Sequence, residues 1–505
     1  MPYAETLGSM SSDPQTSVCR LSPPGVFSWF AGGILTAALT FPIWAMTPRD
    51  FDKFGAVKFE AVVLVAALAL ALIGMEGIGI RSFGLKATSA LVLVGMLVLH
   101  SLLAALFSAN PVTGVMGNNM RYDGFYMIAG NAVLFALAYR LSADSGPPAL
   151  SRMARVLVLA ALPVWGYGFL QLAGHDPFLW QSFRGAGGRI FSTLGNPIFL
   201  GGYTAMVVPV AVGLAVGLRG FARWGWIAAA GIGTAALVFT AARAGWLGLA
   251  VGIVLMAAFA LRWSCGRKTF RVLAAVGVIA GAVVFVGLNI SPSGREAVTL
   301  ESRATSLTTP GGSLDEGRLA IWDISLAMIA DHPVFGVGPD EMGEQFEKYR
   351  TAAFDRAEGA DKKADKPHSS VLEWAVETGI PGAVLFVCLV GVILGGGLVW
   401  LWYGGPGGRD KSPMDQSSSR SQAVLERGER WEFLGLVSGA TAYLAQSLVT
   451  VTAIGVDGVW WIILGLVAGV GLWSEYGLAE HHVSIPGIRR RFAGVAQVKG
   501  KDEAC

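Results

Sequence analysis

The chain has 505 residues, of which hydrophobic types make up 53% and charged types 14%, with a formal net charge of +3 and a mean hydropathy of +0.55. A soluble protein of this length carries more charge and fewer apolar residues, so the composition places the chain in a bilayer. The near-neutral balance, with basic residues scattered among short loops, points away from a nucleic-acid partner.

Residues 1–25 contain Ser, Pro, Asp and Gln, with no basic stretch ahead of a short apolar core, and read as a disordered tail rather than a cleaved signal peptide. Apolar runs long enough to cross a hydrocarbon layer of about 30 Å follow at 26–47, 57–75, 87–107, 124–140, 154–173, 198–218, 224–241, 244–261, 271–290, 381–403, 432–452 and 458–474. The predicted fold is all-α and polytopic, with about twelve transmembrane helices and a large outward helical loop. Nine spans fall within 26–290, the polar loop covers 291–380, and the tenth span covers 381–403. A linker at 404–431 with a disordered composition, two spans within 432–474 and a tail at 475–505 complete the chain.

Positively charged loop residues set orientation. One set of loops holds Arg81, Lys86, Arg140, Arg152, Arg155, Arg219, Arg223, Arg262, Arg267, Lys268, Arg271 and five more between Arg409 and Arg430. The alternate short loops hold only Arg49, Lys53, Arg121, Arg184, Arg189 and Arg243. The first set is predicted to be cytoplasmic, with both chain ends, and 291–380 faces outward. Tryptophans cluster near span ends as interfacial anchors. Cys19, Cys265, Cys388 and Cys505 have no metal-binding spacing and read as free thiols.

Inside the outward segment, Asp315 is placed to cap a helix whose apolar residues Leu319, Trp322, Leu326 and Ile329 recur at helical spacing until His332-Pro333. A second helix is predicted from Pro339, with Met342, Phe346 and Tyr349 on one face, and the charged run 355–366 reads as a solvated link. A third begins with a Ser370/Glu373 capping box and stops at Gly379 and Pro381. Gly336-Val-Gly338-Pro follows a helix and no strand, so it reads as a tight turn and not a dinucleotide loop.

Three residues stand out. Arg243, in a turn between two spans, needs an anion if buried, and a planar guanidinium suits phosphate; the plainer reading is an arginine snorkelling from a helix end. His368 lies just ahead of a helix N-terminus, where the dipole favours the neutral imidazole that a general base requires; otherwise it is an ordinary loop histidine. Arg318 lies in the first turn of its helix and is unspecific by itself.

The Arg243-Ala-Gly-Trp turn, the run Arg318-Leu-Ala-Ile-Trp, the run Asp331-His-Pro-Val-Phe-Gly-Val-Gly-Pro, and His368-Ser-Ser-Val-Leu-Glu-Trp-Ala-Val-Glu-Thr-Gly-Ile-Pro-Gly together resemble the O-antigen ligase and polymerase superfamily. The likeness extends to Gly188-Arg-Ile-Phe-Ser-Thr-Leu-Gly-Asn196-Pro and, more loosely, to Asn119-Met-Arg121-Tyr-Asp-Gly. Members are bacterial inner-membrane glycosyltransferases that move a glycan from undecaprenyl diphosphate to a periplasmic acceptor, without metal or cofactor. The resemblance implies that Arg243 and Arg318 bind the donor diphosphate, that His368 stands at the reacting centre, and that Arg189, Asn196 and Arg121 help bind substrate. It also implies a glycolipid or glycan acceptor such as lipid A-core. Where members usually have Asn after the histidine, Ser before the arginine turn and Asn-Pro-Asn, this chain has Ser369, Ala242 and Asn196-Pro-Ile198.

The layout resembles ligases, with a repeat-unit polymerase for O-antigen or exopolysaccharide as the alternative. A transporter of lipid-linked glycans is the distant third reading. It requires paired charges deep in the spans, which show little beyond His100 and Glu60.

Overall fold

The computed structural model describes residues 26–47, 54–76, 88–119, 121–178, 189–263, 313–403 and 419–479. These residues are helical wherever they are regular, and nine of their helices are long and apolar enough to cross a membrane. The protein is a polytopic α-helical membrane protein.

The helices are α1 (Val26–Trp44), α2 (Gly55–Glu76), α3 (Thr88–Leu106), the short α4 (Pro111–Met116), α5 (Phe125–Ser145) and α6 (Pro147–Leu172), then α7 (Pro197–Gly217), α8 (Ala222–Thr240) and α9 (Arg243–Arg262). After the stretch 264–312, which lies outside the described residues and includes the run expected to span at 271–290, come α10 (Ser313–Asp331), α11 (Met342–Tyr349) and α12 (Ala352–Glu358). The chain continues with α13 (Ser370–Tyr403), α14 (Ser419–Ser447) and α15 (Ile454–Ala479). The expected spans at 432–452 and 458–474 fall largely on α14 and α15. The tails 1–25 and 480–505 and the loop 404–418 lie outside the described residues, but α14 begins inside the stretch read as linker.

The bundle is centred on α7, which is buried along nearly its whole length against α8, α9 and α14. Small residues make the α7–α14 approach possible. A Cβ on Gly213 would lie 2.5 Å from the Trp431 carbonyl, and one on Gly217 would lie 2.6 Å from that of Gly428. α15 packs along α5, and buried Lys58 on α2 caps the end of α1, its Nζ 2.8 Å from Pro42 O and 2.7 Å from Ala45 O.

At one end of the bundle, α10, α11, α12 and the first turns of α13 form a polar cap with its own apolar core of Ala320, Ile321, Ile324, Met328, Val337, Met342, Phe346, Phe354, Ala364 and Val376. The Phe346 and Phe354 rings meet edge to face at 4.9 Å, and the Arg350 guanidinium lies 5.7 Å and 5.9 Å from their centres. On α10 the buried stripe runs through Ala320, Ile321, Ile324 and Met328, whereas Leu319 and Leu326 are exposed, contrary to the stripe read from the sequence. Both stripes have the helical period, and only the position of α11 and α12 decides between them.

The second cap helix starts at Met342, not Pro339, because Asp340 takes a left-handed φ of 60° in the preceding turn. The charged run 355–366 is no solvated link: it contains most of α12 and ends on Lys366, which is only 3% exposed. Ser370 and Glu373 form no capping box either, for Ser370 Oγ lies 3.1 Å from Ser447 Oγ and the Glu373 carboxylate bonds Lys366.

α13 breaks at Gly379 (φ 75°, ψ 179°), as the Gly379–Pro381 signal predicts. The break strands carbonyls that helix geometry leaves without partners, and the 333–338 turn supplies donors. Val337 N–H reaches Val376 O at 2.8 Å and Gly338 N–H reaches Glu377 O at 3.1 Å, while His100 Nε2 lies 2.7 Å from Thr378 O. Ile380 N–H returns to Pro333 O at 2.9 Å, so close that a Cβ on Gly379 would lie 2.8 Å from that same oxygen. The glycine-containing turn is thus a cap for a broken helix.

Candidate active site beneath the cap

The cap docks onto the α3–α5 connection through carboxylates. Asp340 Oδ2 accepts the main-chain N–H groups of Asn118 (2.8 Å) and Asp123 (3.1 Å), Glu341 Oε2 accepts that of Asn110 (3.2 Å), and Glu344 Oε1 accepts the Thr113 hydroxyl (2.9 Å). Burial pushes the Asp340 carboxyl up to about 6, against the lowering effect of Lys366, and the Glu341 carboxyl up to about 7, against its hydrogen bonds from Ser108 and Asn110.

His368 sits in the loop between α12 and α13, half-buried, with φ 59°. Burial lowers its pKa below the ordinary histidine value, and the positive charges of Arg318 and Arg121 lower it further, outweighing Asp365 and Glu358. A neutral imidazole beside two guanidinium groups results. Arg318 reaches this loop because α10 lies against it: Trp322, one turn further along the same helix, donates its indole N–H to Pro367 O at 3.0 Å. Arg121 comes from the α4–α5 connection, its Nε 2.7 Å from Asp365 Oδ2. Burial acts to raise Asp365, but the Arg121 hydrogen bond prevails and holds it below the usual carboxylate range. His368, Arg318 and Arg121 are therefore brought together.

Arg243, Arg189 and Asn196 form a second group on the bundle. Arg243 opens α9, half-buried, after a turn in which Ala241 has φ 48°. The Arg189 Nε donates to Thr240 O at 2.7 Å and Ile190 N–H to Phe239 O at 3.3 Å, which sets Arg189 against that turn. Asn196 is the N-cap of α7, its Oδ1 accepting Ile198 N–H at 2.8 Å, a structural duty that accounts for Asn-Pro at this place. α7 then packs on the Arg243 turn, since a Cβ on Gly201 would lie 2.7 Å from the Ala242 Cβ.

The two groups flank the end of α14. Gln446 lies against Gly202 of α7 and Gly248 of α9, and its neighbour Ser447 meets Ser370, two residues past His368.

Sequence reasoning missed the buried charges behind His368. The Lys366 ammonium lies 2.8 Å from Asp123 and 3.1 Å from Glu377, and also bonds Glu373. Burial opposes its charge, but these carboxylates and Asp340 raise its pKa well above the ordinary lysine value. A cavity of about 60 Å3 adjoins them, lined among others by Asp123, Asn131, Ser370, Glu373, Glu377 and Asp457. Among the described residues, no group of three or more His, Cys, Asp or Glu is arranged to hold a metal. The one local signal for this cluster was Glu373 and Glu377, four apart and so on one helix face.

Fold and site define a membrane-embedded helical protein with an ordered polar cap that sets a neutral histidine among arginines. Residues 228–387 match the family model described as O-antigen ligase, so this part of the chain is similar to that family. The match runs from α8 through the cap into α13 and contains Arg243, Arg318 and His368. No curated protein matches the chain.

Proposed function

We propose that the chain is an O-antigen ligase-like glycosyltransferase that moves a glycan from undecaprenyl diphosphate to an acceptor such as lipid A-core, on the periplasmic face of a bacterial inner membrane, with both termini cytoplasmic. The observation that carries this reading is the half-buried imidazole of His368, which burial and the charge of Arg318 favour in its neutral form. In the proposed reaction the acceptor hydroxyl oxygen attacks the anomeric carbon, and the bond from that carbon to the diphosphate oxygen breaks with its electron pair leaving on the phosphate. The hydroxyl proton passes to His368, a contribution of about 10²–10⁴-fold. Arg318 on the cap and Arg243 on the bundle stabilise the charge that develops on the diphosphate. Arg189 supports the Arg243 turn, Arg121 supports the His368 loop, and Asn196 orients the start of α7.

The experiment is the product pattern of His368→Ala in the source cell. Loss of a ligase strands long glycans on the lipid carrier and leaves the acceptor bare. Loss of a polymerase leaves acceptors carrying one repeat unit each. A normal ladder of chain lengths would remove His368 from the reaction.

A further inference from the structure

The loop that carries His368 is fastened on both sides of it. Asp365 is tied to Arg121, and Lys366 to Asp123, Glu373 and Glu377, the first from the α4–α5 connection and the other two from successive turns of α13. Trp322 holds Pro367 O at 3.0 Å. On the far side, Ser369 O accepts Glu373 N–H at 2.8 Å, and Ser370 meets Ser447. Between these fixings, His368 adopts a left-handed backbone (φ 59°) that L-residues seldom take unless their surroundings over-determine it. Lys366 suits such a fixing because an ammonium has three donors, and here it meets three carboxylates.

We propose that Lys366 and Trp322 are positioning residues, which together hold the His368 backbone in its left-handed conformation and thereby fix the imidazole beside Arg318. The functional importance of this clamp rests on the reading of His368 as the base, but the clamp itself is testable without any transfer assay.

Besides Arg318 on α10, the charged groups that act on His368 are Arg121 from the α4–α5 connection, Asp365 from its own loop and Glu358 at the end of α12. Releasing the loop exposes the imidazole and moves it from Arg318, and both changes raise its pKa. Carbethoxylation of the full-length protein in detergent by diethyl pyrocarbonate, read by peptide mass spectrometry across pH, gives the midpoint and the limiting rate for His368. Two variants are compared with the native protein. Trp322→Phe removes the N–H donor with the pyrrole ring that carries it and keeps an aromatic side chain. Lys366→Met combined with Glu373→Gln and Glu377→Gln removes the ammonium without leaving all three carboxylates unpaired.

The native protein should titrate below the ordinary value of about 6.5 and react slowly. In both variants the midpoint should climb toward that value and the limiting rate should rise about tenfold as the loop opens, with exposed His175 as an unchanged internal reference. A native midpoint and native rate in both variants, with His175 and thermal melting unaltered, would overturn the clamp. Should the combined variant fail to fold, Trp322→Phe decides alone. Full transfer activity in His368→Ala would instead overturn the base reading and leave the clamp standing.

Discussion

Arg121, Asp365 and Lys366 sit in a lattice of ion pairs drawn from the α4–α5 connection, the cap loop and α13, whereas Arg189 and Arg243 sit on a turn built from main-chain hydrogen bonds and glycine contacts. The first arrangement holds the His368 loop by charge, so it responds to pH and to the loss of a single ion. The second sets its arginines on a turn fixed by main-chain hydrogen bonds and close helix packing. Were one diphosphate gripped from both sides, it would meet an edge held by charge and a fixed one held by close packing.

The sharpest test of the cap as a separately packed unit is Ile324→Ala. The side chain is fully buried in the cap core, so its loss should cost about 2–5 kcal/mol, read as a lower melting temperature and faster proteolysis within 313–368. Leu326→Ala on the exposed face should stay within about 0.5 kcal/mol. Equal effects from the two would show that the cap has no core of its own.

Arg243→Lys probes the fixed edge. Lysine keeps the charge but loses the planar pair of donors, so transfer should fall by about 10- to 100-fold, the worth of one or two charge-assisted hydrogen bonds, while the amount of folded protein is unchanged. Full activity in the lysine variant would make Arg243 a snorkelling residue at a helix end.

The smallest effect concerns the cap's docking carboxylates. Glu341 has its pKa raised from 4.5 to about 7, so the folded state holds its proton more tightly than the unfolded one. Stability from this group is fully present below about pH 4.5 and is lost as pH rises through about 7. Glu341→Gln should therefore melt slightly above the native protein at pH 8, the gap closing as pH falls to 4.5. Asp340, raised to about 6, acts in the same direction, and His368, lowered, acts oppositely at acid pH; neither is altered in the comparison. A gap that widens on acidification would mean that the Glu341 carboxylate is charged and favourable in the dock.

Much of this was legible in the sequence, for reasons the residues make plain. Spans announce themselves by apolar length, and the runs from 26 to 261 and from 381 to 403 coincide with helices of spanning length. The place of His368 ahead of α13 and the break at Gly379 were written in local signals, a helix start and a glycine before proline. The Lys366 cluster was not, because its partner Asp123 lies 243 residues away and a lysine in a charged run looks solvated until that partner arrives. The same ignorance of partners misassigned the α10 stripe and the Ser370–Glu373 pair. A helical period says that one face is buried, and a Glu three residues after a Ser says that two groups can meet; neither says what else has come closer. Asn196, by contrast, carries a local signal: an asparagine before Pro197 marks the start of a helix, and its side chain caps α7.

The turn at 333–338 has a consequence for how the protein is made. It is synthesised before the helix whose broken end it covers, and until α13 follows it has nothing to cover. α13 in turn cannot settle at its kink in a lipid environment with bare carbonyls. The two parts must wait for one another, so the cap and the helix that follows it mature as one event. A chain truncated before Gly379 would leave the 333–338 turn with no broken helix end to cover.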